Sequence, residues 1–300
     1  MKRVFKWIGI ILGGLVGFLL VTAVILHFVG LSRLNNAPEV ATKPVAAPTD
    51  AAALARGEHL VNVVSSCGMC HGENLGGQVF FDGEVGSYVF AANLTAGAGG
   101  VGTTFSDADW ERAIRHGVGG DGRVLVIMPS NFYQHLSDAD LGAMIAYLKA
   151  APPVDNDLGE RRIGFPGSVL GGTIGFNDFT RINGIDHANV GANSPTEGAT
   201  AEYGAYMVSI AMCGECHAAN LAGIVGEDDP PPGPNLTPSG DLVSWTEADF
   251  MAAMRTGQTP DGRSLDAEQM PWTIFSQMSD TELQAIWTYL QSLPALPDNS

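Results

Sequence analysis

Two five-residue segments, Cys67-Gly68-Met69-Cys70-His71 and Cys213-Gly214-Glu215-Cys216-His217, share the pattern C-x-x-C-H and contain all four cysteines of the chain. Two thiols at this spacing can each add to a vinyl group of one haem, and the adjacent histidine can then bind the iron. The repeated pattern therefore predicts two covalently bound haem c groups. The predicted attachment residues are Cys67, Cys70, Cys213 and Cys216, and the predicted proximal iron ligands are His71 and His217.

Other uses of paired cysteines fit the sequence less well. A disulfide framework does not require a histidine after each pair, and a thioredoxin-like site would lie in a βαβ pattern that the sequence does not indicate. A zinc ribbon would bring its two pairs within about 15–20 residues of each other. Here the two pairs lie on opposite halves of a chain of 300 residues.

The N-terminal segment predicts a membrane anchor. A cationic start precedes an apolar run from Trp7 to Val29, which only Thr22 and His27 interrupt. About 20 apolar residues are enough for a helix to cross a bilayer. We therefore interpret residues 1–36 as a cytoplasmic start followed by an uncleaved transmembrane helix. Cleavage of this segment as a signal peptide is the alternative.

The anchor also predicts an orientation. The positive-inside rule places its cationic end in the cytoplasm and the chain after Leu31 in the periplasm or outside a bacterial inner membrane. Covalent haem agrees with that location, since exposed cysteines would oxidise there. Gly9, Gly13 and Gly17 share one helix face at a spacing that lets a second transmembrane helix approach. The alternative is that they reflect only the high glycine content of transmembrane helices.

The rest of the chain repeats itself. Residues 37–50 form a Pro/Ala-rich tether, which we expect to be extended and to hold the first domain off the membrane. Two tandem domains of one fold are then expected over 51–153 and 199–300, with an interdomain segment at 154–198. The segments that match once the haem motifs are aligned are Asn93-Leu94-Thr95 with Asn235-Leu236-Thr237, Asp121-Gly122-Arg123 with Asp261-Gly262-Arg263, and Met128-Pro129 with Met270-Pro271.

Each half is predicted to be mostly helical. Helices are expected over 54–64 and 201–212, and Ser137 and Ser279 are expected to cap the last helix of each domain. Gly- and Pro-rich loops at 97–102 and 230–234 separate the helices, and nothing indicates a substantial sheet. Two glycine–tyrosine pairs are expected where the first and last helices cross, Gly57 with Tyr147 and Gly204 with Tyr289. The predicted fold is all-α, with two tandem domains behind an N-terminal transmembrane helix.

These features resemble class I cytochrome c domains, in which a helix precedes C-x-x-C-H and a Met-Pro loop precedes the last helix. The order N-L-T, R-x-G, D-G-R, M-P, S-D, Y-L is similar to that in the cytochrome c subunits of membrane alcohol and gluconate dehydrogenases. The resemblance covers nearly all of the chain beyond the anchor, except residues 155–198. Those subunits usually carry three haems, whereas this sequence predicts two.

Met128 and Met270 are the candidate sixth ligands of the two irons. Each lies in a loop, is followed by proline and precedes the last helix of its domain. Thioether sulfur is a soft ligand, and Met/His ligation raises the reduction potential and leaves no open position for a substrate. Core packing is the alternative, and it fits the helical methionines that do not recur.

Other polar residues carry weaker predictions. Arg123 and Arg263 recur just before the Met loops, where they either meet haem propionates or remain solvated. The histidines without a counterpart in the other half are expected to be surface or internally satisfied residues: His59, His116, His135 and His187. The interdomain segment is interpreted as a strap between the domains, as part of a docking surface, or as a flexible linker.

The charge balance limits the classes of partner. The chain has 32 acidic and 15 basic residues, a net charge of −17. This charge argues against binding to nucleic acid or to anionic lipid. It favours a redox protein partner with a basic docking face, because long-range attraction speeds encounter.

Together the patterns favour an electron carrier, or an electron-transfer subunit of an oxidoreductase, over an enzyme. We expect electrons to come from a dehydrogenase or a quinol-oxidising donor and to leave to a soluble cytochrome or a terminal oxidase. A dihaem redox enzyme of the peroxidase or thiosulfate dehydrogenase type is the alternative. Such an enzyme needs an open or unusually ligated iron, which the two Met-Pro loops argue against, and no cysteine is spare to act as a ligand.

Overall fold

The computed structural model describes residues 2–83, 86–191, 195–224 and 233–299. The first helix is α1 (Lys2–Asn35). Among the described residues, it is the one helix that is long and apolar enough to cross a membrane. The loop expected at 230–234 falls partly outside the described residues. The elements of the first domain are α2 (Ala51–His59) with a π-helical turn (Leu60–Val64), α3 (Gly68–His71), β1 (Gln78–Asp82), β2 (Tyr88–Ala91), α4 (Asp107–His116), α5 (Ser130–Tyr133) and α6 (Asp138–Ala150).

The second domain repeats the helices of the first in the same order. Between the two domains lie α7 (Phe165–Val169), a π-helical turn (Leu170–Ile174) and α8 (Phe176–Thr180). The helices of the second domain are α9 (Ala201–Ile210), α10 (Cys213–His217), α11 (Glu247–Thr256), α12 (Trp272–Phe275) and α13 (Asp280–Ser292). The prediction of a helical fold with two tandem domains is confirmed. The sequence did not indicate the short antiparallel hairpin of β1 and β2.

The predicted caps on the last helices are present. Ser137 accepts a hydrogen bond from the Asp140 amide at 3.1 Å, and Ser279 accepts one from the Glu282 amide at 3.2 Å. Each bond satisfies a backbone donor that the first helical turn leaves without a partner. In α11 the cap is Thr246, which forms a reciprocal capping box with Asp249.

The helix crossings within each domain depend on the predicted glycines. A side chain at Gly57 would overlap the carbonyl group of Ala143 and crowd Tyr147, and one at Gly204 would overlap the carbonyl group of Ala285. The first and last helices of each domain therefore cross with their backbones in close contact. This prediction is confirmed.

The two domains share one hydrophobic core. Buried residues of both domains form a single contiguous cluster, and α5 of the first domain contacts α9 of the second. The largest fully buried apolar side chains in it include Leu60, Leu141, Met144, Met207, Ile210 and Met278. The domains are therefore packed against each other and not merely linked.

The Pro/Ala-rich tether does not hold the first domain away from the anchor, and that prediction was wrong. Val45 is buried in the shared core, and the carbonyl oxygen of Ala46 lies where a side chain at Gly142 would be. The Ala37 amide donates to the carbonyl oxygen of Gly122 at 3.0 Å. The segment is extended as expected, but the apolar residues between its prolines give it a face that packs on the domain.

The interdomain segment is ordered over its described residues. The Asn156 side chain donates to the Gly76 carbonyl at 2.8 Å, and the Arg181 guanidinium pairs with Glu215 of the second haem motif. Residues 165–174 pack against the C-terminal part of α1. The segment therefore connects the anchor, the first domain and the second haem motif.

Candidate haem-binding sites

Both C-x-x-C-H motifs follow the same backbone path. Two residues after the end of the first helix of each domain lies a residue with positive φ, Ser66 (48°) or Met212 (57°). A single helical turn, α3 or α10, then carries the second cysteine and the histidine. The sharp change of direction brings the motif back against the first helix, with Cys67 and Cys213 packed on the core.

The motif histidines are held with a defined proton position. Nδ1 of His71 lies 2.7 Å from the carbonyl oxygen of Ala92, and Nδ1 of His217 lies 2.8 Å from that of Pro234. A carbonyl oxygen can only accept, so Nδ1 must carry the proton in both rings. Nε2 therefore keeps a free lone pair, which is the form of histidine that binds iron.

Burial supports the neutral form of both rings. Loss of hydration lowers the pKa of His71 and of His217, although each backbone hydrogen bond partly opposes this effect. Iron binds neutral imidazole, so a lowered pKa keeps the ligand ready at ordinary pH. The surroundings of His71 and His217 thus fit the role of an axial ligand of haem iron.

The cysteines are also in the state that haem attachment requires. All four thiols are free of disulfide bonds. Burial raises the pKa of Cys67 and Cys213 to about 12, with smaller contributions from Cys70 and Cys216 respectively. Because no thiol is tied up in a disulfide, each one is available for a thioether bond to one vinyl group.

The repeated Asn-Leu-Thr segment fixes the carbonyl groups that bind the histidines. Asn93 directly follows Ala92, and its side chain donates to the Val154 carbonyl at 2.7 Å. Asn235 follows Pro234 and donates to the Leu296 carbonyl at 2.8 Å. Both asparagines are buried and clamp the chain beyond the last helix of their domain. The sequence contained this signal in the recurrence of N-L-T, but its structural role could not be derived from the pattern.

Met128 and Met270 occupy corresponding places in the two domains. Both are partly buried against the shared core. Each is followed by a proline at the N-cap position of a single-turn helix, α5 or α12, and the residue after the proline donates its amide to the methionine carbonyl. The equivalent backbone supports an equivalent role, and ligation of the iron remains a prediction.

The recurring arginines pair with aspartates. Arg123 lies 3.2 Å from Asp121, and Arg263 contacts Asp261 at 2.8 Å and Asp241 at 3.1 Å. All these side chains are exposed to solvent. Both guanidinium groups are therefore already paired with carboxylates of the protein itself.

A network of charged and polar side chains joins the domains close to the first helices. Arg56 lies 2.9 Å from Asp140 of its own domain and 3.0 Å from Glu282 of the second domain. His59 contacts Glu282 at 2.8 Å, and the Tyr206 hydroxyl donates to Asp140 at 2.6 Å. The sequence did not indicate this network, because Arg56 is 84 positions from Asp140 and 226 positions from Glu282.

Glu282 is the most perturbed carboxylate of this network. Burial would raise its pKa, but hydrogen bonds from His59 and the Ser279 amide, with the positive charges of His59 and Arg56, lower the pKa to about 2. The side chain is only 2% exposed. The ionised carboxylate is therefore stabilised by partners from both domains.

The other histidines are internally satisfied or partly buried. His116 is fully buried, and its Nδ1 lies 2.8 Å from Nδ1 of His187, with the rings stacked. Burial, followed by the charge of His116, lowers the pKa of His187. Burial also lowers the pKa of His135. Within the part of the chain that the structure describes, no hydrogen bond joins these three histidines to either C-x-x-C-H motif.

Comparison with protein-family models assigns both domains. Residues 52–148 match the family described as cytochrome c oxidase, cbb3-type, subunit III, and residues 201–294 match the cytochrome c family. The chain is a dihaem c-type cytochrome with two cytochrome c domains. It carries two covalently bound haem c groups.

Curated relatives include subunits of dehydrogenases. The chain is 28% identical to the fructose dehydrogenase cytochrome subunit of Gluconobacter japonicus over 283 residues, 85% of this chain and 55% of the relative. It is 26% identical to the cytochrome c subunit of alcohol dehydrogenase (quinone) of Gluconobacter oxydans over 281 residues, 83% of this chain and 56% of the relative. A diheme cytochrome c-type protein of Cereibacter sphaeroides is 28% identical over 207 residues, 63% of this chain and 66% of the relative. The chain thus spans little more than half of the two dehydrogenase subunits.

Proposed function

We propose that this chain is a membrane-anchored electron carrier on the outer face of a bacterial inner membrane. It would take electrons from a dehydrogenase or a quinol-oxidising donor and pass them to a soluble cytochrome or a terminal oxidase. The observation that carries the proposal is the pair of equivalent histidine sites in two domains that share one core. The similarity to subunits of fructose and alcohol dehydrogenases supports a dehydrogenase as the donor.

The haem ligands are assigned from the residues that recur in the two domains. Haem iron supplies one-electron redox chemistry when it is bound. Cys67, Cys70, Cys213 and Cys216 would hold the two groups covalently, and His71, His217, Met128 and Met270 would be the axial ligands. The Ala92 and Pro234 carbonyls orient the two histidines, and the shared core keeps the two sites at a fixed separation.

The membrane location rests on α1. An 18-residue window of this helix has a mean hydropathy of 2.7, and none of the window is buried against the protein. A helix of this length exceeds the thickness of a bilayer core at about 1.5 Å per residue. With a cationic start in the cytoplasm, both domains would lie in the periplasm or outside.

The test uses the full-length chain purified in detergent. A pyridine haemochrome assay should give two haems per chain that resist acid–acetone extraction. The reduced protein should exchange electrons rapidly with a small soluble cytochrome and reduce hydrogen peroxide only at a negligible rate, since two six-coordinate irons leave no site for peroxide. Peroxide turnover at enzymatic rates, accompanied by a high-spin haem, would replace the carrier with a dihaem redox enzyme.

The donor can be identified separately. Affinity purification of the tagged chain from solubilised membranes should bring down a dehydrogenase if the chain is a fixed subunit. A chain that purifies alone and still accepts electrons from added quinol-oxidising membranes would be a free-standing carrier. If neither source reduces the purified chain, both proposed donors are wrong.

A further inference from the structure

An uncharged stretch of the interdomain segment carries exposed apolar side chains. Residues 163–177, here called the apolar strap, contain no Asp, Glu, Lys or Arg in a chain of which 16% of residues are charged. Within the strap, Phe165 is 46% exposed, Leu170 is 51% exposed and Ile174 is 75% exposed. Exposed apolar side chains that lie together usually mark a surface that is covered in the working protein.

The apolar strap is packed directly against α1. A side chain at Gly30 would overlap the Ser168 carbonyl group, and the backbones of Gly30 and Gly172 are in contact. The guanidinium of Arg33 lies 3.8 Å from the ring centroid of Phe176. These contacts between small residues and backbone give the strap a fixed position beside the helix.

The apolar strap contacts α1 at the place where this helix would leave the hydrocarbon core of a bilayer. From Lys6 to His27 the helix rises about 30 Å at about 1.5 Å per residue, which is the thickness of a hydrocarbon core. His27, the polar residue at the end of that length, has its Nδ1 2.6 Å from the Ser168 hydroxyl. The strap thus provides a polar partner at the depth where the helix leaves the hydrocarbon, and Phe165 lies beside that point, with its ring centroid 5.1 Å from that of His27.

We propose that the apolar strap inserts Phe165, Leu170 and Ile174 into the outer boundary of the bilayer that α1 crosses. This inference rests on the proposed membrane location of α1. The occupant is lipid, because the exposed side chains continue the exposed apolar surface of α1 and carry no charge to discriminate a protein partner. Aliphatic and aromatic side chains of this kind gain free energy when they leave water for the acyl-chain boundary.

Insertion of the strap would orient the first domain on the membrane. The Phe179 carbonyl, just beyond the strap, accepts from the Ile127 amide at 2.6 Å, next to the Met128 loop. On the other side of the strap, Arg161 donates to the carbonyl oxygens of Val124 and Leu34 at 2.7 and 3.1 Å. The strap is therefore bonded to the domain at both ends, so its depth in the bilayer sets the height and tilt of that domain.

The test measures the reactivity of single cysteines in the purified holoprotein. Ile174→Cys, Phe18→Cys and Val243→Cys are each reconstituted in phosphatidylcholine vesicles and treated with a charged, membrane-impermeant maleimide. Haem attachment uses the native thiols, so only the introduced one reacts. Val243 is a matched control because it is apolar and 69% exposed, but lies in the second domain. Phe18 is a control for the lipid-facing surface of α1, where it is 67% exposed.

The expected result is that Ile174→Cys reacts at least about tenfold more slowly than Val243→Cys and at a rate close to that of Phe18→Cys, as burial in lipid requires. Rapid reaction of Ile174→Cys with protection of Phe18→Cys would overturn the insertion of the strap and leave the anchor standing. Rapid reaction of both would overturn the anchor and the strap together. An unchanged haem spectrum shows that each variant is folded, and Leu170→Cys replaces Ile174→Cys if that variant does not fold.

Discussion

The Nδ1–H groups of His71 and His217 donate to backbone carbonyls at 2.7 and 2.8 Å, and the residue after each carbonyl is a buried asparagine. At the residue scale, the hydrogen bond between Nδ1 and the backbone carbonyl oxygen thus decides both the proton position and the orientation of each ring. A ligand that is already neutral and oriented loses little freedom when it binds a metal. The matching Met-Pro loops are expected to complete the two sites.

The methionines are tested by substitution. Met128→Ala and Met270→Ala should each remove the weak near-infrared sulfur-to-iron band of one oxidised haem and lower one midpoint potential. The expected shift is on the order of 0.1 V or more, within the range of about 0.8 V that axial ligands span. Redox titration with spectroscopy measures both. Met144→Leu is the control, because Met144 is fully buried in the core, and unchanged spectra in both alanine variants would return the two methionines to a packing role.

The glycines at the helix crossings make a prediction for stability. Gly57→Ala and Gly204→Ala place a methyl group against a backbone carbonyl of the crossing helix, so the helices must move apart. Overpacking of this kind costs about 1–3 kcal/mol in the free energy of unfolding, which denaturant titration followed by circular dichroism measures.

The control for the crossings is Gly198→Ala. A side chain at Gly198 would meet only Thr200, at an ordinary contact distance of 3.8 Å. This variant should unfold close to the wild-type midpoint. Equal midpoints for all three variants would mean that the close crossings do not limit stability.

At the scale of elements, the first turns of α6 and α13 do more than begin a helix. Each carries a carboxylate, Asp140 or Glu282, that also binds a side chain from the other domain. Arg56 contacts both carboxylates and lies between the two helix starts. In α13, where Glu282 also accepts from the Ser279 amide, a helix cap and an interdomain contact therefore share the same acidic group.

The shared role of Glu282 predicts a pH dependence of stability. Its pKa is about 2 in the folded protein against an ordinary value of 4.5. A lowered folded pKa contributes stability above the unfolded value, and this contribution is lost as the pH falls from about 4.5 towards 2. Glu282→Gln keeps a capping side chain but removes the charge, so at pH 7 it should cost on the order of 2–3 kcal/mol.

The measurement compares unfolding of the wild type and the variant at several pH values. Their difference in free energy should be largest above pH 5 and should shrink as the pH approaches 2. Asp249→Asn is the matched control, since Asp249 forms a capping box in α11 and has no interdomain contact among those described. Its cost should be nearer the usual value of about 1 kcal/mol for a cap. A pH-independent difference for Glu282→Gln would contradict the proposed charge network.

At the scale of the whole molecule, a net charge of −17 surrounds two domains that are fixed to each other and to the end of α1. Transient contacts of electron-transfer proteins are small, so charge is expected to affect how fast they form more than how long they last. The docking partner is accordingly predicted to present a basic face.

The salt dependence of electron exchange tests this prediction. The rate with a basic cytochrome should fall steeply between 0.01 M and 0.1 M salt, as the Debye length shrinks from about 30 Å to about 10 Å. A small uncharged redox reagent is the control and should show little change.

If the chain is instead fixed in a complex by Gly9, Gly13 and Gly17, internal electron transfer should be insensitive to salt, and Gly13→Leu should release the chain from the complex in mild detergent. Salt-insensitive exchange in a chain that purifies alone would contradict both accounts.

The sequence by itself determined the features that depend on neighbours along the chain. The C-x-x-C-H spacing, the repeat of two domains, the caps at Ser137 and Ser279 and the long apolar helix are all local patterns, and local chemistry is enough to derive them. The crossing glycines were also predictable, because each lies nine or ten residues before its haem motif and each tyrosine lies 19 residues after Met128 or Met270.

Only the tertiary structure decided which distant groups meet. His27 and Ser168 are 141 positions apart, and Arg56 and Glu282 are 226 positions apart. The partners of the haem histidines are backbone carbonyls, which every residue has, so no side-chain pattern could indicate Ala92 or Pro234. The tether was predicted as a spacer from its prolines, but its packing depends on the close approach to α6 that Gly142 allows in the folded protein. Contacts of this kind follow from the shape of the assembled core, and composition along the chain does not contain that information.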